Sequence, residues 1–216
     1  AVLGEDGLLR VGPKSAGASP GPICYGRGGT EPTITDANLI LGRLDPQGLL
    51  GVKGGADLDR VKRLMLEKIG APLGLDASQA AAAIVRIAND KMAGAVRMVS
   101  LARGHDPRDF VLFPFGGAGP LHAAAMAKEL GIPRLLIPAR PGITNALGCV
   151  VADLRHDFVN TVNKPVQDVD IEHVNSVVQR QIHAGRELLE REGVAIEGLR
   201  LLHTADMQFQ GQSHML

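Results

Sequence analysis

The sequence predicts an α/β protein on three observations. A short, apolar, aromatic-rich run, Phe110–Phe115, leads into three glycines in four residues, Gly116-Gly-Ala-Gly119; a strong helix former, Leu121–Leu130, and a second apolar run, Arg134–Ile137, follow. Apolar residues recur at helical spacing between Asp76 and Ala102 and again between Asp170 and Gly193. Two short apolar runs near the start flank Gly4-Glu-Asp-Gly7, as in a hairpin.

Taken in order, Val2-Leu3 and Leu8–Val11 form the hairpin strands. Residues 12–22 are dense in Gly and Pro and form a loop. A disordered linker has this composition too, but Ile23-Cys24-Tyr25-Gly-Arg27-Gly28-Gly29 follows at once and holds the only Tyr of the chain. An ordered loop over a ligand is therefore preferred, which makes Cys24, Tyr25, Arg27, Gly28 and Gly29 ligand-proximal candidates. A short helix over Ala37–Leu41 ends at Gly42, with Asp36 or Thr35 as its cap. Asp36 is also a candidate to hold a metal or orient a loop, although the cap is the preferred reading. Asp57 caps a helix to Ile69 with Gly70 as its stop. Asp76 begins the longest helix, with Gln79 completing a capping box. Within that helix Asn89 and Arg97 read as exposed surface.

Asp106-Pro107 fixes a turn into the central strand, Phe110–Phe115, which reads as buried. Pro120 sits at the start of the next helix and Gly131 at its end. After the strand Arg134–Ile137, residues 139–148 form a loop that starts a helix capped by Thr144 or Asn145. In an α/β unit such a loop lies at the carboxyl edge of a strand, where ligands bind, which adds Asn145 to the candidates. Cys149 reads as a buried core thiol. Phe158–Val162 and Leu199–Phe209 read as strands, the second with His203 on its apolar face as a core histidine. Asp170 starts a charged, packing helix that Gly193 ends.

Balanced charge, 23 basic against 23 acidic side chains, gives no field to recruit nucleic acid, and 3% aromatics with no Trp gives no stacking platform. No apolar run reaches membrane-spanning length and no signal peptide is evident. Cys24 and Cys149 make neither a disulfide framework nor zinc spacing, so a reducing cytoplasm is expected. The chain does not begin with Met and both ends fall in mid-pattern, which predicts a piece of a longer protein.

The glycine turn carries the chemistry. Glycines let a backbone approach a ligand closely, and helix-start N–H groups favour an anion. The alternatives are a turn that needs glycine only for packing, and a dinucleotide-binding Rossmann turn. The latter fits poorly, because His122 stands where a third glycine belongs and no acidic residue follows the second strand; Arg140 remains available for a 2′-phosphate. Ser-His-Asp order, paired metal ligands and a Walker loop are not evident.

Four motifs resemble the hydantoinase A / 5-oxoprolinase family: Val11–Asn38 with its Cys24-Tyr-Gly-Arg-Gly-Gly29 core, Arg103–Phe110, Phe115–His122 and Pro141–Gly148. Gly211-Gln-Ser213 resembles the closing motif of that family. The resemblance implies part of an actin-like ATPase fold of the sugar kinase and Hsp70 type, a mixed sheet with flanking helices. It implies ATP-driven opening of a cyclic amide such as N-methylhydantoin or 5-oxoproline, with Mg²⁺ at the phosphates and a hydantoinase B-like subunit or domain completing hydrolysis. Related subunits serve ketone carboxylases, and a non-catalytic actin-like module is a third alternative. Gly116, Gly117, Ala118 and Gly119 would then meet the nucleoside. The resemblance implies residues 1–56 as a ligand-proximal segment, 57–163 as helices plus the adenosine unit, and 164–216 as the start of a following subdomain. Phosphate loops of the form Asp-x-Gly-Gly-Thr belong to this fold; the nearest run, Arg27-Gly-Gly-Thr30, lacks the Asp, so half an ATP site is expected. The catalytic residues, metal ligands, substrate and oligomeric state are not assigned, although the full-length protein is expected to be oligomeric.

Overall fold

Burial of small and branched side chains on one long helix organises the first part of the structure. The computed structural model describes residues 1–52, 54–193 and 198–211. The chain divides into two units, Ala1–Val151 and Ala152–Leu216.

In the first unit, β1 (Val2–Leu3) pairs antiparallel with β2 (Leu9–Arg10), as the hairpin pattern predicts. A 3₁₀ turn at Ile23–Tyr25 precedes α1 (Ile34–Ile40). The cap of α1 is Thr33 rather than Thr35 or Asp36. Thr33 accepts from the Asp36 N–H, and Asp36 reaches back to the Thr33 backbone, a reciprocal capping box one turn earlier than expected. Next, α2 (Leu58–Met65) is capped by Asp57 as expected. Gly70 does not stop it. The chain continues through a π-helical turn, Leu66–Gly70, and α3 (Ala71–Leu73), and ends at Gly74, whose φ of +68° is the left-handed conformation that closes helices. Gly70 is glycine for space: an added Cβ would lie 2.7 Å from the Leu75 carbonyl oxygen.

The longest helix, α4 (Ala77–Ala102), starts at the Asp76–Gln79 capping box. Its Ala80, Ala81, Ile84, Val85 and Ala88 pack with Ala37 of α1 and with Met65 and Ile69. Lys91 Nζ donates to the Val11 carbonyl at 2.7 Å, which fastens the end of the hairpin to the same helix. Farther along, Ala93 packs with Ala127 and Leu130 of α5 (Gly119–Leu130) and with Ile132. The apolar spacing of α4 continues to Val99, but Val99 and Met98 are exposed, so the burial ends before the helix does.

The Asp106-Pro107 turn forms, with the Asp106 carboxylate accepting the Arg108 N–H. It delivers β3 (Val111–Leu112), which pairs parallel with β4 (Arg134–Leu135); Leu136 N donates to the Leu112 carbonyl and extends the ladder. A strand–glycine–helix–parallel strand unit is therefore present. Its strands are shorter than predicted and are not buried: Phe110, Phe113, Phe115, Leu136 and Ile137 are exposed. A two-strand ladder has no further neighbours to cover those side chains. Among the described residues the sheets are two pairs, one antiparallel and one parallel. A 3₁₀ turn, Pro141–Ile143, leads into α6 (Thr144–Val151), where Cys149 is exposed rather than a core thiol.

In the second unit α7 (Ile171–Glu192) is capped by Asp170 and closed by Gly193 as predicted. Residues 158–162 and 199–209 are not strands, and His203 is exposed rather than a core histidine. The 158–162 run finds helix side chains instead of a neighbouring strand. Gln181 Nε2 donates to the Phe158 carbonyl and to Asn160 Oδ1, and the Phe158 ring lies against Gly185. The closing-motif residues Gln212 and Ser213 lie outside the described residues. No helix among the described residues is long and apolar enough to cross a membrane.

The two ends of α4 should respond differently to truncation. Ile84→Ala removes a fully buried side chain and is expected to cost about 2–5 kcal/mol. Val99→Ala, at an exposed position, should stay within about 0.5 kcal/mol. Urea unfolding of both variants measures the difference.

Candidate functional site

Three groups of polar residues in the first unit are built by particular elements. The first centres on Asp36, at the third position of α1 and 0% exposed. A buried carboxylate must be compensated by donors, and three backbone N–H groups and one hydroxyl supply them beside the Cys24 thiol. Oδ1 accepts the Cys24 N–H at 2.8 Å. Oδ2 accepts the Ile23 N–H at 3.1 Å, the Thr33 N–H at 2.9 Å and the Thr33 hydroxyl at 2.8 Å. Both suggested roles meet in one side chain, since Asp36 belongs to the helix cap and orients the 23–25 turn. Among the described residues no group of three or more His, Cys, Asp or Glu is placed to hold a metal. The Cys24 thiol, 2% exposed, is pushed up to about 12 by burial, by the Asp36 charge and by its hydrogen bond to Asp36. It is therefore a neutral donor at physiological pH and not a nucleophile.

The turn that Asp36 holds forms one wall of a cleft of about 380 Å³. Cys24, Tyr25 and Arg27 line it together with Gly51, Val52 and Gly55, and with Asp57 and Arg60 at the start of α2. Of the predicted ligand-proximal residues, Gly28 and Gly29 do not line this cleft. Gly29 is buried, and an added Cβ would collide with the Gly21 carbonyl oxygen, so its glycine serves loop packing.

The second group is the glycine turn. Gly116 has φ +81° and donates its N–H to the Pro141 carbonyl at 2.8 Å. That bond joins the Gly116–Gly119 turn to the 139–148 loop, so the two candidate loops meet. Gly117 and Ala118 are exposed, and an added Cβ on Gly117 would touch nothing within 4 Å. Asn145 lies in the first turn of α6, exposed to solvent.

The third group was not legible as a site in the sequence. Asn89 of α4 is 8% exposed rather than on the surface, and its Oδ1 lies 2.7 Å from Nδ1 of His122, itself 3% exposed on α5. His122 Nε2 lies 3.5 Å from Nδ2 of Asn38 on α1. Asn38 Nδ2 also donates to the Ile34 carbonyl, and Arg43 Nη1 donates to Asn38 Oδ1. The chain of bonds is consistent in one direction only. The Asn89 oxygen requires a proton on Nδ1, and the Asn38 amide requires a bare Nε2, so the ring is neutral. Burial, with the Arg43 charge second, holds its pKa below the usual histidine value. The sequence signal is slight: Asn89 shares its helix face with the small apolar residues Val85 and Ala93, four positions to either side.

A family model described as Hydantoinase/oxoprolinase matches residues 1–158. The chain is 39% identical over 219 residues to caprolactamase subunit alpha of Pseudomonas jessenii, covering 99% of this chain and 31% of that protein. It is 37% identical over 215 residues to the acetophenone carboxylase gamma subunit of Aromatoleum aromaticum, covering 96% of this chain and 29% of that subunit. The crystal structure of the ATP-dependent caprolactamase from Pseudomonas jessenii superposes with a TM-score of 0.73 at 37% identity, over 99% of this chain and 31% of that one. The chain thus spans about 30% of the length of these relatives.

The His122 network makes a signed prediction. The native ring binds its proton less readily than the unfolded one, with its reference value of 6.5. Stability from this site is therefore whole above pH 6.5 and declines as the pH falls below it toward the lowered native value. In an NMR titration the His122 ring should stay neutral, protonated on Nδ1, down through pH 6.5. Protonation at or above that pH would contradict the bonding pattern. Asn89→Ala, which leaves Nδ1 without its acceptor, should cost about 1–3 kcal/mol in urea unfolding.

Proposed function

Because the chain belongs to the hydantoinase/oxoprolinase family, we propose that it forms the ATP-binding, substrate-phosphorylating portion of an ATP-dependent enzyme that opens a cyclic amide. The observation that carries this reading is the likeness of nearly the whole chain, in sequence and fold, to a caprolactamase described as ATP-dependent. The fold within that proposal is part of an actin-like ATPase, and the turn Gly116–Gly119 is the nucleoside-facing element. The geometry fits such a contact: the turn is largely exposed, Gly117 carries no side chain and has open space beside it, and α5 begins at Gly119. With ATP bound and Mg²⁺ offsetting phosphate charge, the terminal phosphoryl group would pass to the amide oxygen with ADP leaving, which would activate the carbonyl carbon so that water adds there, the ring C–N bond breaks and phosphate is released by hydrolysis. The residues of this chain would position the nucleoside. Gly116 and Gly117 permit close backbone approach, and the Gly116–Pro141 bond sets the spacing of the two loops at the edge of the ladder.

Two features support a role within a larger assembly. The parallel ladder of β3 and β4 has exposed phenylalanines, and relatives of about three times the length are named as subunits. The phosphate loops, a hydantoinase B-like partner, an oligomeric state and a cytoplasmic location belong to the same proposal. A second reading, a subunit of an ATP-dependent ketone carboxylase, is favoured by the likeness to the acetophenone carboxylase gamma subunit.

Two outcomes are expected. The purified 216-residue chain should show no sustained Mg²⁺-dependent ATP turnover. In the full-length protein with its partner, phosphate release should rise on adding a cyclic amide under the first reading, or a ketone with bicarbonate under the second. Sustained turnover by the chain alone would refute the split site. Separately, Gly117→Val in the full-length protein should keep the fold, since the added side chain meets open space, yet weaken ATP binding in calorimetry by roughly tenfold or more. Unchanged affinity would remove this turn from the nucleotide site.

A further inference from the structure

The cleft beside the 23–27 turn holds two cations that the reading above does not use. Arg27 is exposed on the turn and meets neutral partners over long distances. Its Nη1 donates to the Ala18 carbonyl at 3.3 Å and its Nη2 to the Gly51 carbonyl at 3.4 Å, while its guanidinium carbon lies 5.6 Å from the centre of the Tyr25 ring. Arg60, on the first turn of α2, makes one long bond from Nη2 to the Gly29 carbonyl at 3.5 Å. Among the described residues neither guanidinium lies within ion-pair distance of a carboxylate. Both line the same cavity of about 380 Å³, the size of small-ligand sites.

The local charge balance is positive. Among the described lining residues Asp57 is the one carboxylate, and its Oδ1 is occupied by the Arg60 N–H as the cap of α2. Cys24 stays a neutral thiol and contributes no negative charge. Guanidinium is a planar fork that matches a carboxylate or phosphate oxygen pair.

We propose that the cleft bounded by Tyr25, Arg27, Gly51, Val52, Asp57 and Arg60 binds the oxyanion group, phosphoryl or carboxylate, of a small ligand. Arg27 provides one fork from the turn, and Arg60 provides the other from the helix start. This site does not depend on where the nucleoside sits, because the glycine turn is not part of its lining.

The test is isothermal titration of the purified protein at low ionic strength, with inorganic phosphate in one arm and acetate in the other. Saturable binding in either arm is expected, weakened roughly tenfold or more by Arg60→Gln, which removes one charge-assisted contact. The stronger arm names the group, phosphoryl or carboxylate. Arg27→Gln should weaken binding as well. Since Arg27 also holds two loop carbonyls, its melting temperature is checked, and Arg60→Gln, whose one bond is long, carries the decision if the loop loosens. Arg10→Gln, on an exposed arginine paired with Asp6, should change nothing. Gly117→Val should also leave this binding intact, which separates failure of this site from failure of the nucleotide reading. Absence of saturable binding in both arms, or binding that Arg60→Gln leaves unchanged in a folded protein, overturns the proposal.

Discussion

A single buried carboxylate holds the first unit to one arrangement. Asp36 has no contact with water, so its charge is tolerated only while its donors stay in place. Those donors come from two directions: the Ile23 and Cys24 amides of the preceding turn, and the Thr33 amide and hydroxyl at the start of its own helix. If either set moved away, a buried charge would be left under-compensated. The 23–25 turn and α1 are therefore one rigid piece, although the intervening residues contain glycine, proline and no regular structure. The cleft wall formed by Cys24, Tyr25 and Arg27 inherits that rigidity.

The same helix reaches the glycine turn by a second polar contact. Two residues after Asp36, Asn38 points to His122, which lies one turn into the helix that begins at Gly119. His122 is also bonded to Asn89 of α4, so three helices meet at one imidazole. Small side chains lie in the nearby contact between α4 and α5, where Ala93 meets Ala127 beside Leu130. Flat alanine surfaces allow close approach but specify register weakly, because one methyl resembles another. A hydrogen-bonded histidine has one satisfying position, and so it supplies the register that the alanines do not.

This explains which features the sequence revealed. Helices α4 and α7 were legible because their caps and stops are local: Asp76 with Gln79, and Asp170 with Gly193, act within one turn. The start of α1 was shifted because Asp36 and Thr33 cap reciprocally, and a cap read from one partner lands on the wrong residue. Gly70 illustrates the opposite failure. Glycine reads as a stop, yet here it makes room for the Leu75 carbonyl while the helix continues. Within the candidate sites, the glycine turn and the Cys24–Arg27 run stood out by composition. Asn89 did not, since a polar residue in a helix reads as surface until the helix packed against it is known to carry His122 there. Arg60 and Asp57 read only as part of a helix, because their place opposite Arg27 across the cleft is a matter of tertiary contact.

The strands were the least legible elements, for a physical reason. A helix satisfies its backbone within itself, whereas a strand needs a neighbour at every residue. Phe158–Val162 and Leu199–Phe209 have the β-branched and alternating composition of strands, but the described structure offers them no ladder, and Gln181 meets the Phe158 carbonyl instead. Phe110–Phe115 has one neighbour, and only two of its residues pair. Parallel strands are ordinarily covered on both faces, and this ladder leaves Phe113, Phe115 and Ile137 exposed. The apolar character of these runs exceeds what the described contacts cover. That excess fits the reading in which a chain of about 30% of its relatives' length supplies one portion of a larger catalytic body.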